Sequence, residues 1–230
     1  MKKSDFLFSR LVNLMDILRS SHGCPWDRKQ NHRSLKICLI EETCEVLDAI
    51  DRKNPHKLKE ELGDLLYQIV FHTRLAKEKG HFSINEVIEC IYSKLIRRHP
   101  HVFEKEKIMG IDKVIEAWHK RKIKESNGSI FDDIPPILPA LHKAIKVQNK
   151  LSLLGLAQSD IPSTLRKVEG GIKELQIKIK NGDKLSGLER AIGYLLFNIV
   201  NLARLLKIEP ETVLNDATSK YMRRCKGSIK

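Results

Sequence analysis

Two groups of acidic residues carry the clearest chemical signal in this sequence. The first reads Glu41-Glu42-x-x-Glu45 and the second reads Glu61-x-x-Asp64. Residues three positions apart are neighbours on one side of a helix. Both groups would lie at similar angles from their apolar stripes, so packing of two consecutive helices would bring four carboxylates together. Because such carboxylates repel one another, the pattern predicts a site for Mg²⁺ or Mn²⁺, which bind carboxylate oxygens.

The spacing alone leaves a second interpretation open, in which these residues form a solvated acidic face. Lys53, Lys57 and Lys59 would then balance its charge. Glutamates three residues apart are common on the exposed sides of helices. The spacing of the acidic residues fits both interpretations.

A basic motif, Lys94-x-x-Arg97-Arg98, follows further along the chain. Cations near a helix C-terminus are favoured by the helix dipole, which would explain the motif without a ligand. Arginine also offers planar paired donors to phosphate oxygens, so the motif could clamp a phosphate. A carboxylate-held metal beside a basic clamp is the combination that phosphoanhydride chemistry needs.

Helices must position these residues, because helical periodicity dominates the sequence and strand patterns are nearly absent. Residues 34–51 are predicted as one helix with Ser34 as its cap, and Asn54-Pro55 is predicted to open the next. A third helix is predicted over residues 84–98. The fold class is therefore predicted to be all-α. The apolar stripes expected to face a shared core are Leu39, Ile40, Thr43, Val46, Leu47 and Ile50, then Leu58, Leu62, Leu65, Leu66, Ile69 and Val70.

The helical pattern recurs after a segment rich in proline and polar residues, and this favours a duplication. We predict a first domain over residues 1–125, a linker over 126–139 and a second domain over 140–230. With four residues near Gly80 omitted, Lys94-x-x-Arg97-Arg98 falls on Lys220-x-x-Arg223-Arg224. At an offset of 130, Gly63, Leu65, Leu66, Tyr67, Ile69, Val70 and Arg74 fall on Gly193, Leu195, Leu196, Phe197, Ile199, Val200 and Arg204.

Composition excludes several classes of protein. The 230 residues include 41% hydrophobic ones, enough for a packed core. No apolar run approaches the ~18–20 residues of a membrane span, and none fits a signal peptide. The five cysteines form no C-x-x-C pair, which argues against a disulfide framework or zinc ribbon and predicts a reducing, cytoplasmic location.

Four motifs occur in one order along the chain. They are Cys24-Pro25-Trp26-Asp27-Arg28-x-Gln30, Glu41-Glu42-x-x-Glu45, Glu61-Leu62-Gly63-Asp64-Leu65-Leu66 and Arg97-Arg98-His99-Pro100-His101-Val102-Phe103. In this order they resemble the MazG family of nucleoside triphosphate pyrophosphohydrolases. The likeness extends over nearly the whole chain, including the Leu-Pro-Ala-Leu at 138–141. It implies two tandem MazG-type helical bundles, a homodimer, and Mg²⁺ dependence with Mn²⁺ as a substitute.

The resemblance also implies the reaction, which is hydrolysis of nucleoside triphosphates to monophosphates and diphosphate, as a cleansing of the nucleotide pool. A water would attack the α-phosphorus, with Glu41 or Glu45 accepting its proton. The implied metal ligands are Glu42, Glu45, Glu61 and Asp64. The implied substrate contacts are Lys94, Arg97 and Arg98 to the triphosphate and, in a later Trp-x-x-x-Lys segment, Trp118 to the base.

The second copy departs from the family pattern. Its expected glutamate pair is Gly170-Gly171, only Glu174 is kept, and the later E-x-x-D reads Ala191-x-x-Tyr194. Adjacent glycines also weaken a helix by roughly 1 kcal/mol each relative to alanine. We therefore expect a catalytically inactive second copy that serves in scaffolding or dimer formation.

Two rival functions belong to other classes. The formal net charge of +13 suggests a helical protein that binds nucleic acid. However, no helix-turn-helix, zinc-finger or RNP pattern supports that role. The other rival is a degenerate, non-catalytic homologue that acts as a dimeric partner. The expected partners are accordingly nucleoside triphosphates and a second copy of the chain, with no membrane and no specific nucleic acid.

Overall fold

The computed structural model describes residues 3–104, 110–125, 130–156 and 160–228. Within these ranges every regular element is a helix, which confirms the all-α prediction. The helices are α1 (Lys3–Leu18), α2 (Pro25–Lys29), α3 (Lys36–Asp51), α4 (Pro55–Glu78), α5 (Ile84–Arg98), α6 (Pro100–Phe103), α7 (Ile111–Lys124), α8 (Ala140–Leu153), α9 (Ile161–Lys180), α10 (Leu185–Leu205) and α11 (Pro210–Ser228).

The three helices predicted in the first half are confirmed, with one difference at a helix start. Helix α4 begins at Pro55, and the Asn54 side chain caps it by accepting a hydrogen bond from the Lys57 backbone N–H at 3.1 Å. Helix α5 spans the predicted residues 84–98. In α3 the cap position is Leu35, because the Ser34 hydroxyl donates to a side chain of the preceding turn instead.

The chain divides into two units, Met1–Glu104 and Lys105–Lys230. This division differs from the expected domain boundary after residue 125, because α7 packs against α8. An ion pair of 3.3 Å between Lys122 and Asp133 joins α7 to the segment before α8. Part of the predicted linker, residues 126–129, lies outside the described residues. The tandem-domain organisation itself stays a prediction.

The core of the first unit lies where α1 and α3 pack against α4. Phe71 is its largest fully buried side chain. The other buried members are Met15, Leu35, Val70 and Leu75. This packing holds α3 and α4 side by side, and only residues 52–54 connect them.

The apolar stripes are only partly buried, and here the expected shared core is wrong in part. Val46 and Val70 are buried, as predicted. The exposed members of the two stripes are Ile40, Thr43, Leu47, Ile50, Leu62, Leu66 and Ile69. The α3–α4 pair therefore keeps an outward apolar face, and the polar side chains of Glu61 and Gln68 lie inside instead.

The second unit is built around the pair α9 and α10. Burial along α10 follows burial along α4 at the offset of 130. Ala191, Asn198 and Val200 are buried like Glu61, Gln68 and Val70. Likewise, Ile192, Leu196 and Ile199 are exposed like Leu62, Leu66 and Ile69. The recurrence of this pattern favours the predicted duplication.

No single helix in the described part of the chain has both the length and the apolar character needed to cross a membrane. The bent pair α10 and α11, which meet at 107°, passes that test together on length and composition alone.

Candidate metal centre

The acidic residues of the first unit converge where α3 and α4 lie side by side. Glu42 and Glu45 are one turn apart on α3, and Glu61 lies in the second turn of α4. One oxygen from each of these three carboxylates lies within 4.8 Å of the other two. The two acidic motifs thus come together as predicted for three of their five residues, Glu42, Glu45 and Glu61.

The spacing of these oxygens suits a small cation. Three points no more than 4.8 Å apart have a common centre within about 2.8 Å of each. Mg²⁺ needs oxygens at about 2.0–2.1 Å, so side-chain shifts below about 1 Å would close the site around it. The donors are all oxygens, which favours Mg²⁺ or Mn²⁺ over metals that prefer sulfur or nitrogen.

Glu61 is the unusual member of the cluster, because only 1% of its side chain is exposed. Its Oε1 forms an ion pair with Lys57 Nζ but accepts no hydrogen bond of regular geometry among the described residues. The Lys57 ammonium lowers the pKa of Glu61. Glu61 therefore carries a buried negative charge that is paired with Lys57.

In the neighbouring carboxylates, Glu42 and Glu45, the pKa is raised and not lowered. Burial, and then the charges of Asp64 and Glu61, raise the pKa of Glu42. A hydrogen bond to Glu61 raises the pKa of Glu45, because the protonated form of Glu45 can donate to the charged form of Glu61. Burial and the closeness of the carboxylates therefore disfavour their ionised forms, and a divalent cation would relieve this effect.

Glu41 and Asp64 complete the two motifs but lie outside the close group of three. Both are exposed. Both act on the cluster electrostatically, since each contributes to the raised pKa of Glu42. The role of Asp64 as a fourth ligand stays a prediction, as does that of Glu41 in positioning water.

Comparison with known proteins places this geometry in a family. Residues 30–103, which include all five acidic positions, match the MazG nucleotide pyrophosphohydrolase domain. The chain is 44% identical to the nucleoside triphosphate pyrophosphohydrolase/pyrophosphatase MazG of Thermotoga maritima over 228 residues, covering 98% of the chain and 87% of that protein. The chain belongs to the MazG family.

The chain is also similar to a second curated relative and, over half of its length, to a solved structure. The chain is 39% identical to a nucleoside triphosphate pyrophosphohydrolase of Escherichia coli K12, over 94% of the chain and 84% of that protein. A crystal structure of a MazG-related protein from Thermotoga maritima matches with a TM-score of 0.43 and 29% identity, over 50% of the chain and 97% of that structure. The resemblance seen in the sequence is confirmed by the first of these.

The basic motif of this MazG-family chain lies on α5, which packs against α4 within the same unit. Lys94 is half-buried and lines a largely apolar groove of about 430 Å³ with Phe82, Val87 and Ile91. Arg97 and Arg98 follow in the last turn of α5. The carboxylates and the basic residues thus lie on neighbouring helices, and a phosphate site shared by the two stays a prediction.

Trp118 lies on α7 in the second unit. It lines a cavity of about 240 Å³ together with His119, Lys122 and Lys150. The Lys122 ammonium lies over its ring, 5.8 Å from the centroid. The expected stacking of Trp118 on a nucleobase stays a prediction.

The second unit lacks a matching cluster in its described part. Ala191 is buried at the position of Glu61, and the only acidic residue left from the motifs, Glu174, pairs with Lys178 at 3.6 Å. Gly171 is buried, and a Cβ there would lie 3.4 Å from Leu195 Cδ1. The loss of metal binding in the second copy stays a prediction.

The contribution of Lys57 is the feature that sequence reasoning treated too lightly. It was one of three lysines expected to balance an acidic face, but it alone contacts the buried member of the cluster among the described residues. The four-residue spacing from Lys57 to Glu61 was the available signal, since such pairs meet on a helix.

Proposed function

We propose that the first unit is a nucleoside triphosphate pyrophosphohydrolase that converts a nucleoside triphosphate and water to a monophosphate and diphosphate. The observation that carries the proposal is the close group of three carboxylates, Glu42, Glu45 and Glu61, of which Glu61 is buried. Its family relatives bear the name of this activity. Cleansing of the nucleotide pool is the cellular role we assign to it.

The carboxylate group would hold Mg²⁺, with Mn²⁺ as a substitute, through Glu42, Glu45 and Glu61 and with Asp64 as a fourth ligand. Bound there, the cation would neutralise phosphate charge and favour ionisation of the attacking water. The cluster supports this assignment because its donors are all oxygens. Burial and neighbouring carboxylates raise the pKa of Glu42, and a hydrogen bond to Glu61 raises that of Glu45, so a cation there would be favourable.

The chain's own residues would divide the remaining work. Glu41 or Glu45 would accept the proton of the attacking water, since both border the cluster on α3. Lys94, Arg97 and Arg98 would bind the diphosphate that leaves, and their charges would offset its negative charge as it develops. Trp118 would stack on the base.

The second unit would have a structural role. Its burial pattern repeats that of the first unit while its acidic positions are lost, which supports a degenerate tandem copy. We assign the boundary between the copies to the segment before α8, with α7 associated with the second unit. We also propose a cytoplasmic location. All five cysteines are free, as is usual for proteins of a reducing compartment.

The chain would act as a homodimer. Seven large apolar side chains of α3 and α4 are exposed, and α5 has no buried residue among its fifteen, with four of its large apolar side chains exposed. Contiguous exposed apolar surface of this kind marks an interface. Light scattering coupled to size exclusion would show twice the mass of 26.5 kDa, and a monomeric mass would contradict the proposal.

Product analysis tests the activity. The protein would be incubated with individual ribo- and deoxyribonucleoside triphosphates, with Mg²⁺ or with EDTA, and the products separated by ion exchange. Monophosphate and diphosphate formed only with Mg²⁺ would support the proposal. Nucleoside diphosphate and phosphate would contradict it. No product with any substrate would favour the non-catalytic partner instead.

A further inference from the structure

Lys57 occupies an unfavourable place for a cation. It lies in the first turn of α4, two residues after Pro55, where the helix dipole favours negative charge. Its ammonium nevertheless bends toward the carboxylate cluster. It contacts Glu61 Oε1 and lies 3.6 Å from Glu60 Oε2.

The two members of this ion pair differ sharply in their access to water. The Lys57 side chain is 54% exposed, whereas that of Glu61 is 1% exposed. Glu61 cannot leave its place between α3 and α4, but the lysine can swing into solvent without disturbing the fold. A buried ionised carboxylate without a partner is strongly unfavourable, so Glu61 needs a cation beside it for as long as it stays ionised.

Lys57 and a divalent cation would compete for the same carboxylate. Glu61 pairs with Lys57 and also belongs to the group of three carboxylates, and two cations beside one carboxylate repel each other. Lys57 is also the cation that acts electrostatically on both Glu42 and Glu45 in the described part of the chain. Its charge therefore opposes metal binding at every ligand of the group.

We propose that Lys57 is a displaceable counter-ion of the metal centre, which neutralises Glu61 in the metal-free protein and sets the affinity of the centre for divalent cations. This inference rests on the metal centre of the proposed function. Divalent binding would release the ammonium to solvent. The lysine would thereby keep the first unit folded when metal is scarce and prevent the site from holding metal too tightly.

The test compares Mn²⁺ binding by Lys57→Met with that of the unchanged full chain. Mn²⁺ alone, without nucleotide, is the probe, and the electron paramagnetic resonance signal of free Mn²⁺ gives the affinity. A single charge about 5 Å from a divalent ion in a water-like dielectric accounts for roughly a tenfold change in affinity. We expect Lys57→Met to bind Mn²⁺ about tenfold more tightly.

Two controls make the result specific. Lys59→Met removes the same charge from an exposed position on the same helix and should leave Mn²⁺ affinity unchanged. Lys57→Arg keeps the charge and should also bind as the unchanged chain does. The melting temperature of the metal-free Lys57→Met protein should fall, and saturating Mn²⁺ should restore it.

The outcomes separate this inference from the function on which it rests. If the unchanged chain binds Mn²⁺ but Lys57→Met binds no more tightly than Lys59→Met, the role of Lys57 is refuted and the metal centre stands. If no form of the protein binds Mn²⁺, the metal centre and the counter-ion fall together. Should Lys57→Met fail to fold, Lys57→Gln replaces it in the same comparison.

Discussion

Replacement of Glu61 by glutamine should disable the metal centre while leaving the fold intact. The change keeps the shape of a buried side chain but removes its charge. A divalent cation at the centre of the three oxygens would lie within about 2.8 Å of Glu61. Even with the full screening of water, the attraction at that distance is roughly 3 kcal/mol, and less screening would increase it. Affinity for Mn²⁺ should therefore fall by at least about 100-fold.

Glu60→Gln is the matched control for this variant. Glu60 precedes Glu61 on α4, its side chain is 59% exposed, and it lies outside the group of three carboxylates. Mn²⁺ affinity and the rate of monophosphate formation would be measured for both variants, with circular dichroism to report the helices. Glu60→Gln should match the unchanged chain. If Glu61→Gln binds Mn²⁺ within about threefold of Glu60→Gln, the assignment of Glu61 as a ligand is refuted.

Three further variants test other parts of the structure. The hydrogen bond from Arg19 lowers the pKa of Glu78, so its stabilising effect is complete above the ordinary value of 4.5 and is lost as the pH falls through the lowered one. Glu78→Gln should thus cost roughly 1–2 kcal/mol in urea unfolding at pH 7, and a difference that does not shrink as the pH falls below 4.5 would contradict this account. Gly170→Ala places a methyl group in open space within α9 and should raise the unfolding free energy by about 1 kcal/mol; a lower urea midpoint would disprove it. Glu174→Gln should leave the rate of monophosphate formation unchanged, and a large loss would move catalysis to the second unit.

Local signals in the sequence were sufficient to predict the helices and the convergence of the acidic motifs. A cap and a proline mark the start of α4, and the three-residue spacing of Glu42 and Glu45 fixes which side of α3 they share. Because α3 and α4 are consecutive and joined by a short turn, their facing sides followed from periodicity alone. The chemistry of the site was therefore accessible without coordinates.

The sequence did not show which of these side chains are buried. Periodicity shows that Leu62, Leu66 and Ile69 share a face, but it cannot say whether that face is covered within the chain. In the structure it is exposed, and Glu61 next to it is buried. Glu61 is buried and Asp64 is exposed because of the way in which α3 packs against α4. The spacing of residues along one helix does not determine that packing.

The division of the chain shows a related limit. The prolines and polar residues of 126–139 indicated a boundary there. In the structure Asp133 pairs with Lys122 of α7 and also with Lys150 of α8, so α7 packs within the second unit. Such pairs bridge residues far apart in sequence, and composition carries no record of them.

The alanine at position 191 has a consequence for how the chain tolerates mutation. Its methyl group is buried at the position where the first unit has the buried charge of Glu61. The second unit therefore needs no counter-ion at that position. Saturation mutagenesis read out by abundance alone should therefore find small apolar residues acceptable at both 61 and 191. Selection for activity should separate them, with position 61 restricted to acids and position 191 left free. The same scaffold would then show two different substitution profiles within one polypeptide.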